Sequence, residues 1–323
     1  MNYHIALIGA GQLGTRHLQG LSRMSASAKV YIVDPNEASL EQAQKGFAEM
    51  HSTAGVTATF HKSIAELPKE LDLVIIATSS RPRAQITREL LATMAPRYIL
   101  FEKFLFPEIN DYKPINTLLQ QRGIKAWVNC ARRAQSIYKQ LPSMLTSGSP
   151  VHFEVNGGNW GLGCNSIHFI DIFSCLVGET AVSIDLSKLD RQLYRSKRDG
   201  YIEFGGTLSG STPNGHSITL TSDMMGNEPP VVRIRQTEQE FTLFESGKLM
   251  EHRKSGEPAT QTPISFLFQS ELTGITADLI LQKGECDLTP FDASSKLHMQ
   301  FLEPAIALYN DLSGEKGTFC PIT

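Results

Sequence analysis

The stretch Ile5-Ala6-Leu7-Ile8-Gly9-Ala10-Gly11-Gln12-Leu13-Gly14, with Asp34 closing the next apolar run, decides the fold. A short apolar strand enters three glycines spaced Gly-x-Gly-x-x-Gly, and a helical pattern follows. Each glycine has a distinct task in a dinucleotide-binding turn. Gly9 permits the tight turn, Gly11 lets backbone approach a pyrophosphate, and Gly14 lets the helix pack closely on the strand. Gln12 and Leu13 then begin a helix whose N-terminal amides face the anion. The carboxylate of Asp34 suits the two adenosine ribose hydroxyls and repels a 2′-phosphate. Pro35-Asn36-Glu37 supply no cation to reverse that preference, so the reading is NAD, with NADP the lesser alternative.

Working outward, residues 1 to about 124 alternate β-rich runs with helical stretches, which predicts a doubly wound parallel sheet covered by helices. Strands are expected at 4–9, 29–34, 57–60, 72–78 and 98–102, and helices at 12–23, 36–49, 81–95 and 110–122. A sixth strand covers 125–129. A helix from about 133 to 145 ends in Thr146-Ser147-Gly148-Ser149-Pro150, and longer β runs follow. Those near 151–157, 200–208, 216–223, 231–236 and 240–245 read as an antiparallel meander, followed by helices at 264–282 and 293–312. The α/β chain therefore divides into a dinucleotide-binding domain, 1–124, and a substrate and oligomerisation domain, 125–323.

The 323 residues carry a net charge of −3 without long runs of like charge, which argues against nucleic acid and anionic membranes as partners. The five cysteines show no Cys-x-x-Cys or Cys/His cluster, so neither a disulfide framework nor a metal site is expected. No apolar run is long enough to span a bilayer, and the first strand begins within a few residues of Met1. The expectation is a soluble cytoplasmic protein acting on a small molecule.

Ligands of an open parallel sheet bind beyond the carboxyl ends of its strands. Two places there carry chemistry. Glu102-Lys103-Phe104 follows the fifth strand, and Cys164-Asn165-Ser166-Ile167-His168-Phe169-Ile170-Asp171 opens a helix in the second half. Together with Gly9-x-Gly11-x-x-Gly14-x-Arg16-His17 and the strand ending at Thr78, these make the chain resemble the Gfo/Idh/MocA oxidoreductases over nearly its whole length. The resemblance implies an N-terminal Rossmann domain and a C-terminal α+β domain whose open, mainly antiparallel sheet joins homodimers or homotetramers. It also implies hydride transfer between NAD(P) and a hydroxyl or keto carbon of a sugar or sugar derivative. Lys103 matches the lysine of the family's Glu-Lys-Pro motif, and His168 the histidine of its Asp-x-Gly-x-His-x-x-Asp motif.

The chemistry asks for the same residues. As hydride leaves a carbinol carbon, the hydroxyl proton needs a base, and imidazole, with an ordinary pKa of about 6.5, suits neutral pH. Lys103 can polarise the oxygen or relay the proton. Thr78, Glu102 and Lys103 join the glycine turn and Asp34 as cofactor-binding candidates. Glu102 is expected to face away from Lys103 and to orient backbone or cofactor. Lys103, Arg132, Trp160, Cys164, Asn165 and His168 are the substrate-binding candidates.

The chain departs from the motifs at several positions. Phe104 replaces the proline, and because a cis bond before a non-proline residue costs about 2.5–4 kcal/mol, that peptide is expected to be trans. Cys164 stands at the motif's first aspartate and Ser166 at its glycine, while Arg83 replaces a histidine after the fourth strand. Two alternatives follow: a dinucleotide-binding regulator without turnover, and a glycosidase using NAD in a transient oxidation. Other residues admit plainer readings. Trp160 can stack on a sugar or fill the core. Arg132 and Arg133 can bind an anionic substrate or form a solvated pair. Asp171 can orient His168 or sit at the helix N-terminus. The basic stretch Lys188, Arg191, Arg195, Lys197 and Arg198 reads as an exposed loop.

Overall fold

A computed structural model describes residues 2–50 and 54–323. The chain begins β1 (Tyr3–Ile8), α1 (Gln12–Leu21), β2 (Ala28–Val33), α2 (Glu37–Ala48) and β3 (Thr57–His61). There follow β4 (Glu70–Ile76), α3 (Ser80–Thr93), β5 (Ala95–Phe101), α4 (Tyr112–Gln121) and β6 (Lys125–Val128). Next come α5 (Ser136–Met144), β7 (His152–Gly158), α6 (Leu162–Val177), β8 (Ser183–Leu189), β9 (Tyr194–Arg195), β10 (Ile202–Glu203) and β11 (Gly206–Ser211). The chain closes with β12 (Ser217–Asp223), β13 (Val231–Gln236), β14 (Gln239–Phe244), β15 (Leu249–Lys254), β16 (Thr260–Pro263), α7 (Gln269–Lys283), β17 (Thr289–Pro290) and α8 (Phe291–Ser313).

Two compact units form. The first contains residues up to Phe106, Asn110–Ala131 and Leu267–Asp292; the second contains Pro107–Ile109, Arg132–Phe266 and Ala293–Thr323. The units are interleaved in sequence, whereas the pattern of the chain suggested one boundary at 124/125. β6 pairs in parallel with β5, so it extends the first sheet, and α7 returns to that unit from far along the chain.

The first unit holds a sheet in the order β17-β6-β5-β4-β1-β2-β3, parallel except for β17 on β6. β1 and β4 are neighbours, so the strand order reverses there and opens a crevice beyond their carboxyl ends. Ile5, Leu7, Leu73, Val74, Ile75 and Ile99 are fully buried, as expected of strands covered on both faces. α1 and α7 approach closely through glycine: a Cβ on Gly274 would lie 2.5 Å from Gly20 O, and one on Gly20 would lie 2.5 Å from Thr273 Cβ.

The second unit holds an eight-stranded sheet in the order β16-β15-β14-β13-β7-β12-β11-β8. Its pairs are antiparallel with one exception: β7 lies between β13 and β12 and is parallel to β12. The expected meander therefore holds for the β13–β14 and β11–β12 pairs but is interrupted by β7. A parallel neighbour needs a crossover, which α6 and the strands after it provide. The expected strand over 200–208 is split into β10 and β11, with Gly206 at φ 92° beside backbone of residues 188–190. β8, β9, β15, β16 and β17 were not foreseen. β16 is a wholly exposed edge strand ending in Pro263, which removes the apolar alternation by which a strand is read.

Candidate functional site

At the β1–α1 turn the three glycines occupy three different settings. Gly9 has φ 101°, and a Cβ there would press on Ala77 and Thr78 backbone at 3.0 Å. A Cβ on Gly14 would fall 1.9 Å from Gly9 O, so the helix can meet the turn only through glycine. Around Gly11 nothing lies within 4 Å of the Cβ position, leaving room for a bulky anion at the head of α1. Gly11 is the N-cap of α1 and Gln12 and Leu13 its first residues, and no side chain caps those amides.

Asp34 follows β2, and its Oδ2 accepts the Ala10 amide at 2.7 Å while Oδ1 accepts the Asn36 amide at 2.9 Å. The carboxylate is thus fixed against the glycine turn, and its remaining lone pairs can receive hydroxyl groups. Thr78 lies after β4 at the reversal point. Its Oγ1 is buried without a hydrogen-bond partner, and its carbonyl accepts from Arg83 Nη2. A glycine cradle, an open space before a helix N-terminus, a fixed carboxylate and an orphaned hydroxyl together fit a dinucleotide.

Beyond β5, Glu102 is buried and Lys103 half-buried. Glu102 Oε1 stands 2.8 Å from His17 Nε2 and also accepts from Asn129 Nδ2. His17 Nδ1 lies 3.0 Å from Thr273 Oγ1, whose own proton goes to the Gln269 carbonyl at 2.8 Å, so both ring nitrogens face acceptors. Asn129 also donates to Gln269 Oε1 at 2.9 Å. Burial alone would raise the Glu102 pKa, but the His17 hydrogen bond and charge, helped by Asn129 and Arg83, override it and hold the carboxyl below its usual range. Glu102 faces the interior and, through His17 and Asn129, links α1 to the end of β6 and to α7.

The Lys103–Phe104 peptide is cis, contrary to the trans geometry expected of a non-proline bond. The surrounding carbonyls are gathered by Arg83, which is 1% exposed: Nη1 donates to Glu102 O at 2.7 Å, to Leu105 O at 3.1 Å and to Phe104 O. The Phe104 ring is fully buried. Arg83 is therefore the organiser of the backbone around Lys103. Sequence alone marked it only as a replaced histidine.

In the second unit, His168 lies on α6, half-buried, one turn from Cys164 on the same face. Asn165 Nδ2 donates to Trp160 O at 2.8 Å, and Cys164 Sγ lies 3.6 Å from Gly161 O. Trp160 commits its indole N–H to Thr221 O at 2.7 Å and meets Phe169 edge-on at 5.4 Å, so most of its fixed contacts are with protein. Asp171 is not an N-terminal-turn acid. α6 begins at Leu162, and Asp171 sits fully buried well inside the helix with Arg133 Nη1 at 3.6 Å. Arg132 pairs with Glu245 and stacks 4.6 Å over Phe169, while Tyr138 donates to the other Glu245 oxygen at 2.6 Å. Burial pulls the Arg132 pKa down, opposed by Tyr138. The two arginines are thus paired with carboxylates and not solvated as an isolated pair. The basic stretch read as an exposed loop is exposed but partly in strands: Lys188 lies in β8 and Arg195 in β9, where Arg195 pairs with Asp199 at 3.0 Å on the surface.

Lys103 and the glycine turn belong to the first unit; Arg132, Trp160, Cys164, Asn165 and His168 belong to the second. The first unit gathers Gly9, Gly11, Gly14, Asp34 and Thr78 at one crevice. His17 was named from sequence only as part of the glycine motif, and Asn129, Glu203 and Glu245 were not singled out, although the place of Asn129 directly after β6 is the signal by which it could have been found. Among the described residues no cluster of potential metal ligands occurs, and no helix is long and apolar enough to cross a membrane.

Comparison with known proteins agrees with this geometry. The family model GFO_IDH_MocA, described as "Oxidoreductase family, NAD-binding Rossmann fold", matches residues 3–130. An uncharacterized oxidoreductase of Bacillus subtilis (strain 168), YrbE, is 22% identical over 142 residues, which are 44% of this chain and 39% of that protein. The chain thus matches about two fifths of that relative's length. Among solved structures, UDP-N-acetylglucosamine 3-dehydrogenase GnnA from Acidithiobacillus ferrooxidans superposes with a TM-score of 0.74 at 16% identity, covering 97% of this chain and 99% of that one. The transcriptional regulator Gal80p from Kluyveromyces lactis superposes with a TM-score of 0.71 at 13% identity, covering 96% and 90%. At such identities the likeness is one of fold.

Proposed function

We propose that this chain, whose residues 3–130 match the model of the Gfo/Idh/MocA oxidoreductase family, transfers a hydride between NAD and a hydroxyl or keto carbon of a sugar or sugar derivative. The observation that carries the reading is the crevice beyond β1 and β4, where a glycine cradle stands beside Asp34 fixed by Ala10. NAD is preferred to NADP because the Asp34 carboxylate accepts ribose hydroxyls and repels a 2′-phosphate.

Bound nicotinamide supplies the hydride acceptor or donor. The chain's own residues do the rest. The first amides of α1 would hold the pyrophosphate and Asp34 the ribose. In the oxidising direction the His168 imidazole takes the hydroxyl proton as hydride departs, and in the reducing direction it returns a proton to the new alkoxide. In the first unit the Lys103 ammonium would stabilise negative charge developing on a substrate oxygen. Arg83 and Glu102 hold the backbone that carries Lys103.

The test is a fluorescence titration with NADH and NADPH, followed by a screen of free sugars, sugar acids and nucleotide-linked sugars at the nicotinamide absorbance. NADH binding tighter than NADPH, with one sugar class turning over, is the expected result. Absence of binding by either dinucleotide overturns the proposal. Tight NADH binding with a silent screen favours a regulator, the role named for Gal80p.

A further inference from the structure

α6, the helix of His168, begins without the usual aids. Its N-cap is Gly161, in the left-handed region at φ 78°, with no side-chain cap and no acidic residue in the first turn. The positive end of a helix so placed needs a partner for its amides. That partner arrives from another element: Glu203 Oε2, on β10, accepts the Gly163 amide at 2.7 Å and the Cys164 amide at 3.3 Å.

The local sequence is shaped around this carboxylate. A Cβ on Gly163 would stand 2.9 Å from Glu203 Oε2. A Cβ on Gly161 would be 3.1 Å from Cys164 Sγ, 3.1 Å from Asn165 Nδ2 and 3.3 Å from Glu203 Oε1, so three side chains converge on one point. Glu203 is itself held. β10 pairs with β9, setting Glu203 opposite Tyr194, and Ile202 N donates to Pro321 O at 2.8 Å. The residue is only 6% exposed. A charge brought into the interior from so short a strand, and aimed at one helix terminus, is fixed in place by its surroundings.

We infer that Glu203 is a positioning residue for the reaction: from β10 it supplies the fixed negative charge that the first turn of α6 lacks, and so sets the place of His168 one turn further along. This rests on the reading of His168 as the proton-carrying base. Cys164 lies in the same turn and reports the local charge. A thiol at a helix N-terminus gains reactivity when no carboxylate faces it, because the thiolate is then stabilised.

The test uses the full chain and the isosteric variant Glu203→Gln, with Glu203→Asp as the conservative control. The first readout is the rate at which iodoacetamide alkylates Cys164 in the native protein, followed by peptide mapping with Cys175 as internal reference. E203Q should raise the Cys164 rate about three- to tenfold, while E203D stays near wild type. The second readout is steady-state turnover on the sugar panel with NADH or NAD. E203Q should lower kcat about tenfold with the KM for cofactor unchanged, and Cys164→Asp added to E203Q, which returns a carboxylate to the same turn, should recover part of the loss.

A Cys164 alkylation rate within twofold of wild type in E203Q overturns the inference whatever the turnover, and so does full kcat in E203Q when His168→Ala has lost it. Turnover that survives His168→Ala instead removes His168 from the chemistry, and the Cys164 rate alone then decides whether Glu203 caps the helix.

Discussion

At the scale of single residues, the two groups assigned to the chemistry can be separated from those that hold them. His168→Ala and Lys103→Ala should each lower turnover by about 10²–10⁴ while changing NADH affinity only slightly, because proton transfer and oxyanion stabilisation act in the transition state. Steady-state kinetics paired with an NADH titration check this. Equal losses in binding and turnover would refute it. Glu102 should behave differently. Its folded pKa is depressed, so its contribution to stability is present above the ordinary carboxylate pKa and is lost as pH falls through the folded value. Urea denaturation of Glu102→Gln should show a loss of about 3 kcal/mol at pH 7, because the buried His17 ring loses its carboxylate partner. The gap should narrow towards pH 3. A gap that does not change with pH would show that the charge of Glu102 plays no part. What the sequence could reveal at this scale was residue type in relation to strand ends: Lys103, Asp34 and Thr78 follow strands and could be named. Glu203 and Glu245 could not, because each meets its partner across a long interval of chain that no local pattern encodes.

Among the elements, those with an apolar period were legible and those without were not. β1, β2, β4 and β5 carry unbroken apolar runs, and α1 to α4 begin close to where their patterns begin. β16 is a polar edge strand, β15 beside it turns polar after Met250, and β17 is two residues long, so little in their composition distinguishes them from loop. The contact of α1 with α7 was also invisible, though it can be tested by a single methyl group. Gly274→Ala places a Cβ 2.5 Å from Gly20 O, backbone that cannot rotate away, and should cost about 2 kcal/mol in urea denaturation. Gly46→Ala in α2 is the control. Its Cβ would meet only Thr15 Cγ2 at 3.9 Å, so it should be neutral or stabilising by about 0.5–1 kcal/mol. Equal effects of the two would mean that the close approach of α1 and α7 is unimportant.

For the whole molecule, the interleaving of the two units has a direct test. The sequence suggests a cofactor domain ending near residue 124, yet Leu267–Asp292 belongs to the same compact unit. A fragment of residues 1–131 lacks the partners of Gly20 and of His17 Nδ1. It should lose cooperative thermal unfolding and bind NADH at least about tenfold more weakly than the full chain, as expected when a buried pair loses part of its network. Native-like melting and wild-type affinity in that fragment would show that the returning segment is dispensable. The limit on reading this from sequence is physical: the apolar face of α7 announces a helix but not which sheet it will cover.

The late return of α7 also bears on synthesis. A ribosome adding about 5–20 residues per second takes roughly ten to fifty seconds to travel from α1 to the end of α7. Throughout that interval the face of α1 around Gly20 and the inward side of His17 have no native cover, and this part of the first unit can be completed only after most of the chain has emerged.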